Sequence, residues 1–140
     1  MSINSTAAGA NTASGGAVLI LLGRILLSIM FILAGFGKLT AIGATAGWFG
    51  SIGLPAPTIV AVVVGLVELL GGISILIGFQ TRLAAIVLAV FTLAATAIAH
   101  LDFADQIQLL MLQKNLGVAG GFLILAAVGA GALSVDAKRG

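Results

Sequence analysis

Long apolar runs broken by polar residues at helical spacing, every three or four positions, dominate this chain. Four stand out, at residues 17–38, 57–79, 83–101 and 114–135. Each is close to the roughly 20 residues a helix needs to cross a hydrocarbon core of about 30 Å. The pattern therefore predicts an all-α integral membrane four-helix bundle over residues 17–135, with both chain ends on one side. Residues 1–16 are uncharged and rich in Ser, Thr, Asn, Gly and Ala, which predicts a disordered polar tail, and residues 136–140 predict a short basic one. Between the first two runs, residues 40–54 carry small residues with Trp48-Phe49 at their centre, and Pro57 opens the second run. This predicts an interfacial loop anchored by an aromatic ring at headgroup level. A lid over a lateral opening is the bolder reading of the same stretch. A signal-peptide reading of the first run, with Arg24 as the basic region, would leave three spans, and Gly37-Lys38-Leu39 does not resemble a cleavage site.

Polar residues inside the runs must face a partner or a cavity, because a charged group at the centre of a spanning helix costs about 2.5–3.5 kcal/mol on insertion scales. In the first run Arg24, Ser28, Phe31, Gly35 and Lys38 recur at steps of four and three, which puts them on one helical face. In the second, Ala61, Gly65, Glu68, Gly72 and Ile75 do the same, so Glu68 sits in a stripe of small residues that permits close helix approach. Thr92, Thr96 and His100 lie four apart in the third. At about 1.5 Å of rise per residue, Arg24 and Glu68 differ in depth by about 6 Å, within reach of a guanidinium arm. An intramembrane Arg24–Glu68 ion pair is therefore expected, either fixing helix register or serving function. Lys38, His100, Lys114 and Asn115 gather near the opposite ends of the runs, with Asp102 and Asp105. Interfacial solvation accounts for them, and Lys38, His100, Lys114 and Asn115 are also candidates for holding a polar headgroup or a quinone carbonyl.

Composition narrows the chemistry. Of 140 residues 61% are hydrophobic and 7% charged, against about a quarter charged in a soluble domain. A nucleic-acid binder would need a basic face, and six Lys and Arg against four Asp and Glu do not build one. With no cysteine, thiol redox chemistry and Cys-ligated metals are excluded for the chain acting alone, and a single His predicts no metal site. Haem with paired axial His is disfavoured for the same reason. No Gly-rich phosphate loop follows a strand, and Ser28 and Ser74 have no base near them. Arg82, Lys138 and Arg139 lie on the side of the termini, Lys38 and Lys114 on the other. The majority places both termini in the cytoplasm, with Arg82 as a cytoplasmic basic anchor.

From Gly16 to about Val135 the chain resembles the DoxX family of small four-helix inner-membrane proteins. The matching features are Gly23-Arg24 and Ala34-Gly35-Phe36-Gly37-Lys38-Leu39 in the first run, then Glu68-Leu69-Leu70-Gly71-Gly72, Ile77-Gly78 and Arg82, and finally Lys114-Asn115-Leu116 with Gly120-Gly121. The resemblance implies a multi-pass protein of the bacterial inner membrane. Some members resemble the membrane subunit of a thiosulfate:quinone oxidoreductase, and others are tied to membrane redox complexes. By position, the family likeness directs attention to Arg24, Lys38, Glu68, Arg82, His100 and Asn115. The leading expectation is an accessory or quinone-linked subunit of a redox complex, with quinone as the one cofactor suggested and no complete catalytic constellation of its own. The alternatives are a small transporter using Glu68 and a purely structural membrane subunit. Expected partners are membrane lipids and a soluble or membrane redox protein. Nucleic acid is not expected, and the small-residue faces suit internal packing and a homo-oligomer equally.

Overall fold

In a computed structural model the backbone is described for residues 2–139 and the side chains for residues 15–139. Six helices follow in order: α1 (Ser2–Thr40), α2 (Ile42–Ser51), α3 (Pro57–Ile77), α4 (Thr81–Ala99), α5 (Gln106–Val128) and α6 (Val135–Arg139). Residues Gly15–Thr40 of α1 and the whole of α3, α4 and α5 are long and apolar enough to cross a membrane. No strand occurs among the described residues. The tail expected at residues 1–16 falls, apart from the helical Gly15 and Gly16, outside the side chains described.

Helix α1 has two opposed faces. Leu19, Leu26 and Leu33, seven residues apart, are exposed as lipid-facing side chains, whereas Arg24, Ser28 and Phe31 are buried. The buried face packs antiparallel on α3 at backbone distance. A Cβ on Gly35 would collide with the backbone of Leu69 and Gly65, and one on Gly72 would meet Ile32 and the carbonyl of Ser28. Small residues here let the two backbones touch, the usual source of affinity between helices in lipid. On the other side of α3, Gly71 admits Leu88 of α4. The core that closes the bundle comprises Phe31, Ile75, Ala85, Leu88, Ala89, Phe122 and Leu125. Phe31 and Phe122 meet edge to face with ring centroids 5.3 Å apart.

The register of α1 on α3 decides where Arg24 goes. With Gly35 against Gly65 and Leu69, Arg24 lies opposite the end of α3 at Gly78, and Glu68 lies opposite the turn that carries Lys38. The expected Arg24–Glu68 pair is therefore not made. Instead the Arg24 guanidinium donates four hydrogen bonds to backbone carbonyls. Nε reaches Ile75 (2.9 Å), Nη2 reaches Leu76 (2.8 Å), and Nη1 reaches Ala130 (2.9 Å) and Leu133 (2.8 Å). The last carbonyls of α3 have no intrahelical donor, and Ala130 and Leu133 lie in the non-helical segment after α5, so these acceptors are closer and more in need of a partner than a carboxylate two turns away. Gly78 ends α3 at φ +72°, where any Cβ would run into Arg24 and Ser134.

Three other segments differ from expectation. Within residues 40–54 the stretch Ile42–Ser51 forms helix α2 rather than a loop, because Ala46 and Phe49 find a buried seat against Ala61 of α3. The fourth span is α5, about two turns earlier than the apolar run suggests. Asp105 caps its start by accepting from Ile107 N (2.9 Å), and Gly129, at φ +84°, ends it. The basic tail is also not free, since Asp136 spreads its carboxylate across the start of α4. It accepts from Gln80 N (2.7 Å) and Thr81 N (2.9 Å), and its own N–H donates to Gly78 O (2.8 Å). Arg82 caps the far end of α5 in the same manner, donating to Ala127 O at 3.0 Å.

Arg24→Leu is expected to destabilise the bundle by about 3 kcal/mol or more, since it strands buried carbonyls. Arg24→Lys is expected to recover only part, because an ammonium cannot fork to four acceptors. Thermal unfolding in detergent distinguishes the two. Burial alone would raise the Asp136 pKa, but the N–H groups of Thr81 and Gln80 and the Arg139 charge hold it below the ordinary carboxylate value. Its contribution is thus present above the unfolded value and lost as pH falls through the lower folded one. Asp136→Ala is expected to cost about 1 kcal/mol and to flatten the acid limb of a stability-against-pH curve.

Candidate functional site

The end of the bundle away from Arg24 is hollow. A cavity of about 390 Å³ is walled by α1, α2, α3, α4 and α5. Its sides are apolar and aromatic, with Phe31 from α1, Trp48 and Phe49 from α2, and Phe91 from α4. Its polar groups are Lys38, Glu68, Thr92, His100, Lys114 and Asn115. Below it the side chains of Phe31, Ile75, Leu88 and Phe122 fill the bundle, so the cavity is blind toward the Arg24 end.

Each helix delivers its polar group through a local cause. Lys38 is on the last turn of α1, and Nζ stands 2.9 Å from Glu68 Oε1. Glu68 is 6% exposed, held on the small-residue stripe of α3 described above. The ammonium lies off the direction of an aligned hydrogen bond, so Oε1 has an ion-pair partner but no well-directed donor. The early start of α5 sets Lys114 and Asn115 about two turns inside the helix rather than at its mouth. There Asn115 Nδ2 donates to Thr96 Oγ1 at 2.8 Å, and that hydroxyl donates back to Thr92 O at 2.7 Å. The exchange ties α5 to α4 and leaves the Thr92 hydroxyl, 4% exposed, with no hydrogen-bond partner. His100 ends α4, and its Nδ1 is buried without a partner as well.

The sequence-predicted groups thus divide. Lys38, His100, Lys114 and Asn115 come together around one cavity, joined by Glu68. Arg24 and Arg82 lie at the opposite end as helix-terminal donors. Asp102 and Asp105 belong to the connection before α5, where Asp102 accepts from Ala104 N and Asp105 is the cap. Two features escape the sequence reading: the Lys38–Glu68 pairing and the aromatic wall. Aligning the small-residue stripes of the first two runs antiparallel, with Gly35 beside Gly65, would have found the pairing.

Comparison with known proteins places this architecture. The DoxX family profile matches residues 19–101, well over half of the chain. The chain belongs to the DoxX family. It is 43% identical to the inner membrane protein YqjF of Escherichia coli (strain K12) over 117 residues, 84% of this chain and 88% of that protein. It is 33% identical to the inner membrane protein YphA of the same organism over 126 residues, 86% of this chain and 90% of that one. A third relative, CatD of Bacillus subtilis (strain 168), provisionally named an oxidoreductase, is 35% identical over 75 residues, 54% of each chain. No solved structure is a significant match. Four spanning helices and inner-membrane relatives make this DoxX protein a membrane protein. Arg24, Lys38, Glu68, Thr92 and His100 fall inside the matched region, and Lys114 and Asn115 lie beyond it.

Burial first, and the Lys114 charge second, push the His100 imidazole below its ordinary value. The ring is accordingly neutral at pH 7. As pH falls through the unfolded value near 6.5, the unfolded chain takes up a proton that the folded chain resists, and stability declines until the lower folded value is passed. NMR titration is expected to place the His100 midpoint below 6.5 and to move it upward in Lys114→Gln.

Proposed function

We propose that this DoxX protein is a quinone-linked accessory subunit of a membrane redox complex, holding the head of an amphipathic ring-bearing ligand in the cavity between α1 and α5. The observation that carries the reading is the cavity itself. Apolar aromatic walls and a few convergent polar groups, three of them with buried atoms lacking hydrogen-bond partners, are the make-up of a small-molecule site. Its volume suits a ring rather than a whole lipid. The provisional oxidoreductase name of the Bacillus relative supports a redox setting. Holding a ligand, rather than transforming it unaided, suits a chain with one His and no Cys. A redox partner would carry the electrons.

Transport through Glu68 finds less support. The packed layer of Phe31, Ile75, Leu88 and Phe122 separates Glu68 from the far end of the bundle, and Glu68 is already paired with Lys38. The basic residues Arg82, Lys138 and Arg139 favour a cytoplasmic Arg24 end, so the cavity would open toward the outer leaflet. The ligand would then reach it from the bilayer or from that surface.

The test uses the purified protein in lipid nanodiscs. Solvent extraction followed by mass spectrometry is expected to recover a quinone or its hydroquinone in stoichiometric amount. A short-chain quinone added afterwards is expected to quench Trp48, the sole tryptophan, which lines the cavity. Extracted protein free of quinone and hydroquinone, together with Trp48 emission indifferent to added quinone, would remove the reading.

A further inference from the structure

The polar atoms of the cavity are not evenly matched, and the imbalance bears on which form of ligand it takes. Its donor-only groups are the ammoniums of Lys38 and Lys114, and both are less buried than the polar atoms beside them. Lys38 has a side-chain exposure of 27%, and Lys114 is exposed. The groups buried below them need something different. Glu68 Oε1 is a carboxylate oxygen, which only accepts, and its ion-pair partner Lys38 Nζ, 2.9 Å away, makes no aligned hydrogen bond to it. The Thr92 hydroxyl has no partner, and both residues are more than nine-tenths buried. Nδ1 of the neutral His100 is unpartnered too. Buried polar atoms left this way cost free energy that a ligand of matching chemistry restores.

Resting on the reading of the cavity as a ligand site, we infer that it selects a ring bearing a hydroxyl, a phenol or hydroquinone, over the corresponding carbonyl compound. The hydroxyl donates to Glu68 and accepts from or donates to Thr92, while the ring packs among Phe31, Phe91 and Trp48. A quinone carbonyl brings only lone pairs. Placed at the same depth it could accept from the Thr92 hydroxyl but would face the Glu68 carboxylate oxygen with no hydrogen between them. An aliphatic alcohol would satisfy Glu68 but leave the aromatic wall without a flat partner. The preferred occupant is therefore the reduced, hydroxylated member of a quinone pair, or a redox-inert phenol of the same shape.

Redox-inert probes isolate the hydrogen bond from any electron transfer. Para-octylphenol and its methyl ether differ in that one donor. Their affinities for the nanodisc protein, read from Trp48 emission and expressed per mole fraction in the bilayer to cancel partitioning, are expected to differ by about tenfold or more in favour of the phenol. Glu68→Gln is expected to cut that preference to about threefold or less, because hydrogen bonds to charged acceptors are the stronger ones. Thr92→Val, close to isosteric, is expected to weaken the phenol more than the ether and gives a second arm if Glu68→Gln does not fold. Equal affinity of the two probes for the native protein would overturn the inference. A short-chain quinone that binds while the probes do not differ would overturn it and leave the quinone-linked reading standing. Failure of quinone and probes alike to reach Trp48 would overturn both.

Discussion

A guanidinium taken out of water must find acceptors for its protons, and Arg24 finds four of them on two separate parts of the chain. Two carbonyls belong to the last turn of α3 and two to the segment between α5 and α6. The arginine of α1 thus draws together the ends of the second and fourth spans at one level of the bundle. The cost of leaving such a charge unpaired is several kcal/mol, so the arrangement is close to obligatory once Arg24 is inside. Helix ends that lack charges of their own are completed around it by distant residues. Arg82 serves α5, and Asp136 serves α4 from 55 positions away.

Fastening one end of the bundle so tightly leaves the other to differ. The Gly35 contact with Gly65 holds α1 and α3 together along their length, and the same register that sends Arg24 to Gly78 leaves Glu68 facing Lys38. Between these two polar levels lies an apolar layer centred on Phe31 and Phe122. On its far side the helices surround a space that their own side chains do not fill, with α2 standing at its edge. A bundle built only for assembly would gain by filling that space. At one end Arg24, Arg82 and Asp136 are committed to backbone groups, and at the other Glu68, Thr92 and His100 keep buried polar atoms without hydrogen-bond partners.

Much of the architecture was legible from the chain. The four spans, their all-helical character and the inward faces of α1 and α3 follow from run length and from three-and-four spacing. Lys38, His100, Lys114 and Asn115 do line one cavity, although Lys114 and Asn115 reach it from two turns inside α5 and not from the helix end the apolar run suggested. The start of α5 was harder to read. Its first turns carry Gln106, Gln108 and Gln113, which read as a connection until Asp105 is seen capping them. Helix α2 was hidden for a related reason, because small residues and glycines give weak propensity and only the seat of Phe49 against α3 makes them helical.

What the sequence determined by itself was where each helix is apolar enough to lie in lipid and which residues turn inward, because burial of polar groups in hydrocarbon is too costly to allow otherwise. Which inward charge meets which was decided only by tertiary structure. Depth along two helices placed Arg24 and Glu68 within reach of each other, but partnership depends on the sliding register of one helix against another. That register was set by backbone contact at Gly35 and Gly65, and an arginine offered unsatisfied helix-end carbonyls nearby takes them before a carboxylate farther along the helix.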